Sequence, residues 1–268
     1  MRILITIMAA MLLQASAQAQ DKPLFDIQVS KPTAQAGDYV LCPSRQFYDN
    51  AVQKGVNKTT FIYYAATLVE ANETTSTVKN LAGRTFSLPN QMIVPIPKEQ
   101  TAKKHDIVLT WWQKGSGMQR AIVVGGSETE PVVRYLDIKL TNPSGAGKRE
   151  EKLRPNSFVV LNQPWQVGTT VAIKDSGRVK HGQLLAVSKE MVLVKEFAGK
   201  LGCYPRKSAK PLPIVPVLEK NGAAQAALYG SFKPVTVTRV DAEIGRVFAT
   251  FEFGRKPREE AFSFGDIF

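Results

Sequence analysis

The chain has 268 residues, and its 35 Lys and Arg against 23 Asp and Glu give a formal net charge of +12. Its two cysteines and two histidines form neither a CxxC pair nor a Cys/His cluster, so we expect no metal site. A basic chain of this kind binds anionic partners readily, although basic charge also keeps a secreted protein in solution.

The N-terminus has the pattern of an export signal. Arg2 precedes an apolar run over residues 3–13, and Ala17-Gln18-Ala19 forms a small-x-small cleavage site. The run is well short of the roughly 20 residues that span a bilayer. We therefore expect a signal peptide over residues 1–19, cleavage before Gln20, and a mature protein without a membrane span that is periplasmic or secreted.

A sequence repeat organises the remainder of the chain. The segment Val78–Arg84 recurs as Val194–Lys200, 116 positions later, and each copy runs on into an apolar segment rich in proline. Glycine-led strand patterns precede both copies, at Gly37–Leu41 and Gly168–Ala172, 131 positions apart. The first copy therefore carries about fifteen extra residues after its opening strand. Self-similarity on this scale predicts an internal duplication.

Short β-rich runs separated by tight turns predict an all-β fold. Five such runs fit between residues 39 and 94, and a sheet that short buries one face only by curling into a small five-stranded barrel. The predicted division is a signal peptide at 1–19, a first barrel module at 36–98, a second small β module at 104–141, a linker at 142–157, a third barrel module at 158–217 that repeats the first, and a fourth small β module at 228–268. Residues 219–227 fit either a short helix or a loop.

A weaker pairing relates the second and fourth modules. Arg120 and Arg246 lie 126 positions apart, as do Pro131 and Pro257. This spacing predicts that the strand containing Arg120 in the second module corresponds to the strand containing Arg246 in the fourth.

The first module resembles the Tudor/Agenet group of Src-homology-3-like barrels. The matching features are Gly37 with Val40, the aromatic second strand Tyr63-Tyr64-Ala65, and an exit at Val94-Pro95. The resemblance implies tandem small barrels, and in some Tudor modules aromatic side chains form a cage for a methylated cation. The cage candidates that the resemblance implies are Phe47, Tyr48, Tyr63, Tyr64, Trp111 and Trp112. Aromatic residues that alternate along a strand fit a core equally well.

The insertion in the first copy is a second candidate for binding. Residues Phe47–Thr60 are expected to form a long loop between the first two strands, and long loops are often functional. Its basic residues Arg45, Lys54 and Lys58 lie beside aromatic ones, a mixture that suits peptide or polymer contact. The alternative is a plain surface excursion that covers a neighbouring module.

The two cysteines are disulfide candidates. Cys42 belongs to the opening strand of copy one and Cys203 to a late strand of copy two. An oxidising destination favours a bridge, which in chain-entropy models would contribute roughly 4–5 kcal/mol across so long a loop. Two buried, unbridged thiols are the alternative.

The sequence contains no recognisable catalytic motif. Gly145-Ala146-Gly147-Lys148 lacks the spacing of a phosphate loop, and neither His105 nor His181 adjoins a nucleophile motif. We predict no catalytic residue and no cofactor. The leading hypothesis is an exported binding or scaffolding protein for an envelope or extracellular protein or peptide. The alternatives are a protein that binds an anionic polymer such as cell-wall polymer or nucleic acid, and, below that, an enzyme or enzyme inhibitor.

Overall fold

The computed structural model describes residues 22–114, 117–254 and 256–268. The predicted signal peptide at 1–19 lies outside these residues. Within the described ranges, no helix has both the length and the apolar character needed to cross a membrane.

The first module is a five-stranded antiparallel sheet with the strand order β4-β3-β2-β1-β5. Its strands are β1 (Tyr39–Pro43), β2 (Tyr63–Ala71), β3 (Thr75–Asn80), β4 (Thr85–Pro89) and β5 (Val94–Pro95). β1 pairs with β2 on one side and with β5 on the other, so the last strand returns to the first. Alternation along β2 points Tyr63 into the core and leaves Tyr64 partly exposed.

The other three modules repeat this connectivity. The second contains β6 (Ile107–Trp111), β7 (Met118–Gly126), β8 (Pro131–Tyr135), β9 (Glu150–Lys152) and β10 (Val159–Val160). The third contains β11 (Thr170–Asp175), β12 (Arg178–Val187), β13 (Met191–Glu196), β14 (Leu201–Pro205) and β15 (Ala209–Pro211). The fourth contains β16 (Ala223–Leu228), β17 (Ser231–Asp241), β18 (Arg246–Phe253) and β19 (Lys256–Ser263), and an isolated bridge between Ala226 and Ile267 stands where the others have a fifth strand.

A β-bulge recurs at the same place in every module. The pairing between the second and third strands shifts register at Leu68/Glu70, Val123/Gly125, Leu184/Ala186 and Val237/Arg239. A bulge adds local twist, which allows one long strand to bend around a small core. The predicted all-β fold of small five-stranded antiparallel modules is thus confirmed.

The modules pack on one another. A single apolar cluster contains Val40 of the first module, Ile122 of the second, Leu193 of the third and Val237 of the fourth. The second and third modules each contain a further buried cluster of their own. The pairing of Lys180 with Ser231 also joins the third and fourth modules into one nine-stranded sheet.

The insertion in the first module forms a helix, which corrects the expected loop at Phe47–Thr60. α1 (Arg45–Lys54) begins where the Ser44 hydroxyl accepts a hydrogen bond from the Phe47 N–H, and it ends at Gly55, whose φ is 92°. A 3₁₀ helix at Val56–Lys58 follows. Tyr48 and Ala51 of α1 are buried. The insertion is therefore part of the core of the first module.

Residues 142–157 differ from the linker that their composition predicts. They contain a 3₁₀ helix at Ala146–Lys148 and β9, which pairs with β8. Ala146 and Leu153 are buried in the core of the second module. The composition does not reveal this packing, because the segment is rich in glycine and charged residues and few of its side chains are apolar.

The alignment of Arg120 with Arg246 is also wrong. Arg120 lies on β7, the second strand of its module, whereas Arg246 lies on β18, the third strand of the fourth module. The shift arises because residues 223–228, rich in alanine, form β16, an opening strand that composition alone does not distinguish from a helix or loop.

The segments that carry the 116-residue repeat occupy equivalent turns. Asn80 N–H donates to the Arg84 carbonyl at 2.9 Å, and Glu196 N–H donates to the Lys200 carbonyl at 2.7 Å. Gly83 and Gly199 have φ of 82° and 71°, the region that favours glycine. Because all four modules share one topology, the fold does not single out a twofold repeat, and the duplication stays a prediction.

Candidate binding groove

An apolar groove of about 370 Å³ lies where the first and second modules meet. α1, β2 and the β3–β4 turn form three of its walls, and the end of β6 forms the fourth. The side chains that define it are Phe47, Tyr64, Leu81, Phe86 and Trp111. Four of these five are aromatic, so the groove presents flat, rigid surfaces to an occupant.

Local structure fixes each ring. Phe47 lies in the first turn of α1, and its ring stacks on Tyr64 with centroids 6.3 Å apart and an interplanar angle of 9°. Trp111, 4% exposed, packs on Tyr39 with a centroid distance of 5.0 Å. The capped helix and the two sheets therefore hold the groove open without a ligand.

The groove is electrically neutral. The residues that line it in the described part of the chain include no charged side chain. Ser44 is engaged in capping α1, while Asn80 accepts a hydrogen bond from the Arg84 N–H at 2.9 Å. Leu81, at the mouth, is 66% exposed. This chemistry suits an apolar side chain better than an ion.

The structure brings three of the nine predicted binding residues, Phe47, Tyr64 and Trp111, into this groove. Tyr48 is buried, and its hydroxyl donates to the Lys22 carbonyl at 2.6 Å. Tyr63 is also buried, and burial raises the pKa of its phenol. Both belong to the core.

The remaining four predicted residues lie outside the groove. Trp112 packs against the core of the second module. Arg45 pairs with Asp49 at 2.8 Å and donates to the Ser87 carbonyl at 3.0 Å, so it braces α1 against β4. Lys54 and Lys58 are exposed beyond the groove lining.

Sequence analysis missed Leu81 and Phe86. Leu81 lies in the repeated segment Val78–Arg84, just before its glycine turn. An apolar residue in a turn followed by Ala82-Gly83 was the available signal, because turns usually carry polar residues.

Cys42 forms part of the groove wall, and its predicted disulfide is absent. Cys42 and Cys203 are both free thiols. Cys42 pairs in register with Tyr64 inside the first module, whereas Cys203 pairs with Leu193 inside the third. Burial raises the pKa of Cys42 to about 12 and also raises that of Cys203. The two cysteines thus serve as small apolar residues.

We expect thiol labelling of the denatured, non-reduced protein to modify two cysteines per chain. In the native protein Cys42, 2% exposed and protonated, should stay unlabelled while partly exposed Cys203 reacts slowly. Mass spectrometry counts the labels, and Cys203→Ala should remove the slow native reaction. Fewer than two labels after denaturation would mean that the cysteines are bridged, as the sequence predicts.

Comparison with known proteins adds little beyond the fold. No family model matches the chain, and no curated protein matches it significantly. A crystal structure of AGD34 of AGDP1 from Arabidopsis thaliana is similar over 49% of this chain and 84% of that chain, at 13% identity and a TM-score of 0.24. The strand order by itself defines an all-β protein of small antiparallel modules.

Proposed function

We propose that this chain is an exported, non-enzymatic binding protein that takes an apolar side chain of a peptide or protein partner into the groove between its first two modules. The observation that carries the proposal is the neutral, preformed groove walled by Phe47, Tyr64, Phe86 and Trp111. Apolar clefts with a few polar groups at the rim are the usual form of a binding site.

The chemistry of the groove favours binding over catalysis. The thiol of Cys42 is a potential nucleophile in the wall, but burial raises its pKa to about 12 and keeps it protonated near neutral pH. An apolar anchor contributes about 1.5–3 kcal/mol when fully buried. That amount gives weak binding alone, so contacts from further modules would add avidity. Export rests on the signal pattern of residues 1–19.

A selection of displayed random peptides on the mature protein tests the proposal. We expect enriched peptides to share a large apolar residue, and their binding to change the fluorescence of Trp111. Leu81→Glu should weaken binding at least about tenfold, since it places a charge at the mouth of an apolar groove. Leu81 is 66% exposed, so the fold should tolerate the change.

Val52→Glu is the matched control, because Val52 is 56% exposed on the same module and does not line the groove. It should leave the dissociation constant unchanged. Raising salt from about 50 to 200 mM should also have little effect, whereas binding of an anionic polymer would weaken steeply. Equal binding by both variants, or a steep salt dependence, would contradict the proposal.

A further inference from the structure

A second cavity, of about 320 Å³, lies where the second, third and fourth modules meet. Its wall contains Arg120 from β7, Lys195 from β13 and Arg246 from β18, together with the apolar side chains of Phe197 and Phe262. It shares Phe197, Tyr229 and Gly230 with a neighbouring open groove that contains Arg178, Lys180 and Lys233. The cavity is therefore reachable from solvent along a basic surface.

Two carboxylates of the cavity are already paired. Asp137 accepts hydrogen bonds from Arg120 Nε at 2.9 Å and from its Nη2 at 2.5 Å. Asp266 accepts from the same Nη2 at 2.8 Å and lies 3.0 Å from Nε2 of His181. Burial opposes the charge on Asp266, but Arg120 and His181 outweigh it and lower its pKa. The other two carboxylates of the lining are also engaged: Glu260 pairs with Lys139 at 2.8 Å, and Glu196 accepts a hydrogen bond from the Tyr204 hydroxyl. Two cations of the lining, Arg246 and Lys195, have no carboxylate within ion-pair distance in the described part of the chain.

Arg246 and Lys195 are those remaining cations. Arg246 donates to the carbonyls of Tyr135 and Ile138 at 2.8 and 2.9 Å and has no carboxylate partner. Lys195 makes no hydrogen bond or ion pair with any residue that the structure describes. Burial lowers the pKa of Lys195 and lowers that of Arg246 to about 10. Lys195 is half-buried, and a partly desolvated ammonium without a close partner is unfavourable, so an anion that entered here would gain a charge-assisted contact.

At the opening of the cavity, an aromatic residue has a positive φ, a backbone conformation that residues other than glycine rarely adopt. Tyr229 and Gly230 form the two-residue turn between β16 and β17, both with positive φ, 52° and 82°. Asn-Gly is favoured in such a turn, and a tyrosine there is strained. Tyr229 is 60% exposed, and its ring meets Phe197, 58% exposed, edge-on at 6.4 Å. The pair presents an apolar surface directly beside the cavity that contains Lys195 and Arg246.

We propose that this cavity binds the carboxylate of a monoanionic ligand at Lys195, with the apolar body of that ligand against Phe197 and Tyr229. A carboxylate fits better than a phosphate because Arg246 already donates to backbone carbonyls, which leaves the Lys195 ammonium to balance one negative charge and no group for a second. The carboxylate belongs either to a small aromatic acid or to the C-terminus of a peptide. The site is separate from the groove of the first module and does not depend on it.

Calorimetric titration of the mature protein with phenylacetate, and with the tetrapeptide Ala-Ala-Ala-Phe bearing a free C-terminus, tests the proposal. Phenylacetamide and the C-terminally amidated tetrapeptide are the neutral counterparts. We expect saturable binding of at least one acid and at least about tenfold weaker binding of its amide, since a charge-assisted hydrogen bond is lost. The stronger of the two acids identifies the source of the carboxylate.

Lys195→Met should weaken acid binding about ten- to hundredfold. Lys207→Met is the matched control, because Lys207 is exposed on the same module and does not line the cavity. Phe197→Ser changes an exposed side chain and should also weaken binding, which keeps the test open if Lys195→Met fails to fold. Leu81→Glu should leave acid binding unchanged and so separates this site from the groove.

Binding of the amides as tight as that of the acids would overturn the proposal. So would acid binding that survives both Lys195→Met and Phe197→Ser, or the failure of both acids to saturate the protein.

Discussion

Arg120→Leu is expected to lower the free energy of unfolding by about 3–5 kcal/mol, because it leaves two partly buried carboxylates, with side chains 20% and 21% exposed, without their buried cation. Arg120 is 4% exposed and its guanidinium contacts both Asp137 and Asp266. Burial disfavours its charge, but the two carboxylates outweigh burial and raise its pKa. Because Asp137 belongs to the second module and Asp266 to the fourth, the change should also loosen the contact between these modules. Urea denaturation of wild type and variant measures the difference.

Arg246→Leu provides the matched control. Arg246 is equally buried, at 3% exposed, but its partners are neutral, chiefly Ser263 and backbone carbonyls. Its removal should cost about 1–3 kcal/mol, the penalty for unsatisfied buried acceptors. If Arg246→Leu lowers the free energy of unfolding as much as Arg120→Leu does, the loss reflects removal of any buried arginine and not of the carboxylate pairing.

The pH dependence of the stability difference tests whether the carboxylate pairing of Arg120 is its cause. The pKa of folded Asp266 lies below that of the unfolded chain, so its contribution to stability is present above about pH 4 and is lost on acidification below it. In Arg120→Leu the guanidinium, the larger of the two influences that lower this pKa, is gone while His181 remains. The stability difference between wild type and variant should therefore shrink as the pH falls through 4. A constant difference would contradict the assignment.

Gly199→Ala is expected to cost about 2–4 kcal/mol, the second large effect. Gly199 has a φ of 71°, and a Cβ added there would lie 2.7 Å from the carbonyl oxygen of Phe61. Its own carbonyl accepts a hydrogen bond from the Phe61 N–H at 2.8 Å. The substitution therefore adds backbone strain and pushes the third module away from the segment that leads into β2. Thermal or urea unfolding measures the loss.

Gly83→Ala measures the cost of backbone strain alone, without the steric contact between modules that Gly199→Ala adds. Gly83 lies in the equivalent turn of the first module with a φ of 82°, and a Cβ there would meet nothing within 4 Å. This variant should lose about 1 kcal/mol, the cost of a left-handed residue other than glycine. Similar losses for the two glycines would mean that the contact between the modules contributes nothing.

Local chemistry predicted the strands better than it predicted the connections between them. Alternating β-branched and aromatic residues with glycine turns predicted β1, β2, β6 and β7 near their observed places. The same rules missed α1, a single helix of ten residues between two strands, although its apolar residues recur at helical spacing. They also missed β9 and β16, whose sequences are charged or rich in alanine. Those elements gain their stability from a neighbouring strand or core that a local window does not contain.

The candidate groove was predicted only in part, for a related reason. Phe47, Tyr64 and Trp111 were expected to bind because they are aromatic, as were Tyr48 and Tyr63. Phe47 and Tyr48 are adjacent in α1, and Tyr63 and Tyr64 are adjacent in β2. In each pair one ring is buried and the other faces the groove. The register that decides this depends on where α1 and β2 pack.

Sequence alone determined the fold class, the presence of four small β modules, and the glycine turns at Gly83 and Gly199, because these follow from local backbone preference and from a repeat visible in the chain. Tertiary structure decided that the cysteines stay apart, that the insertion is a helix, and that Arg120 meets Asp266 across 146 positions. Such contacts join residues far apart in the chain, and their energy depends on burial and distance, which no local pattern of residues encodes.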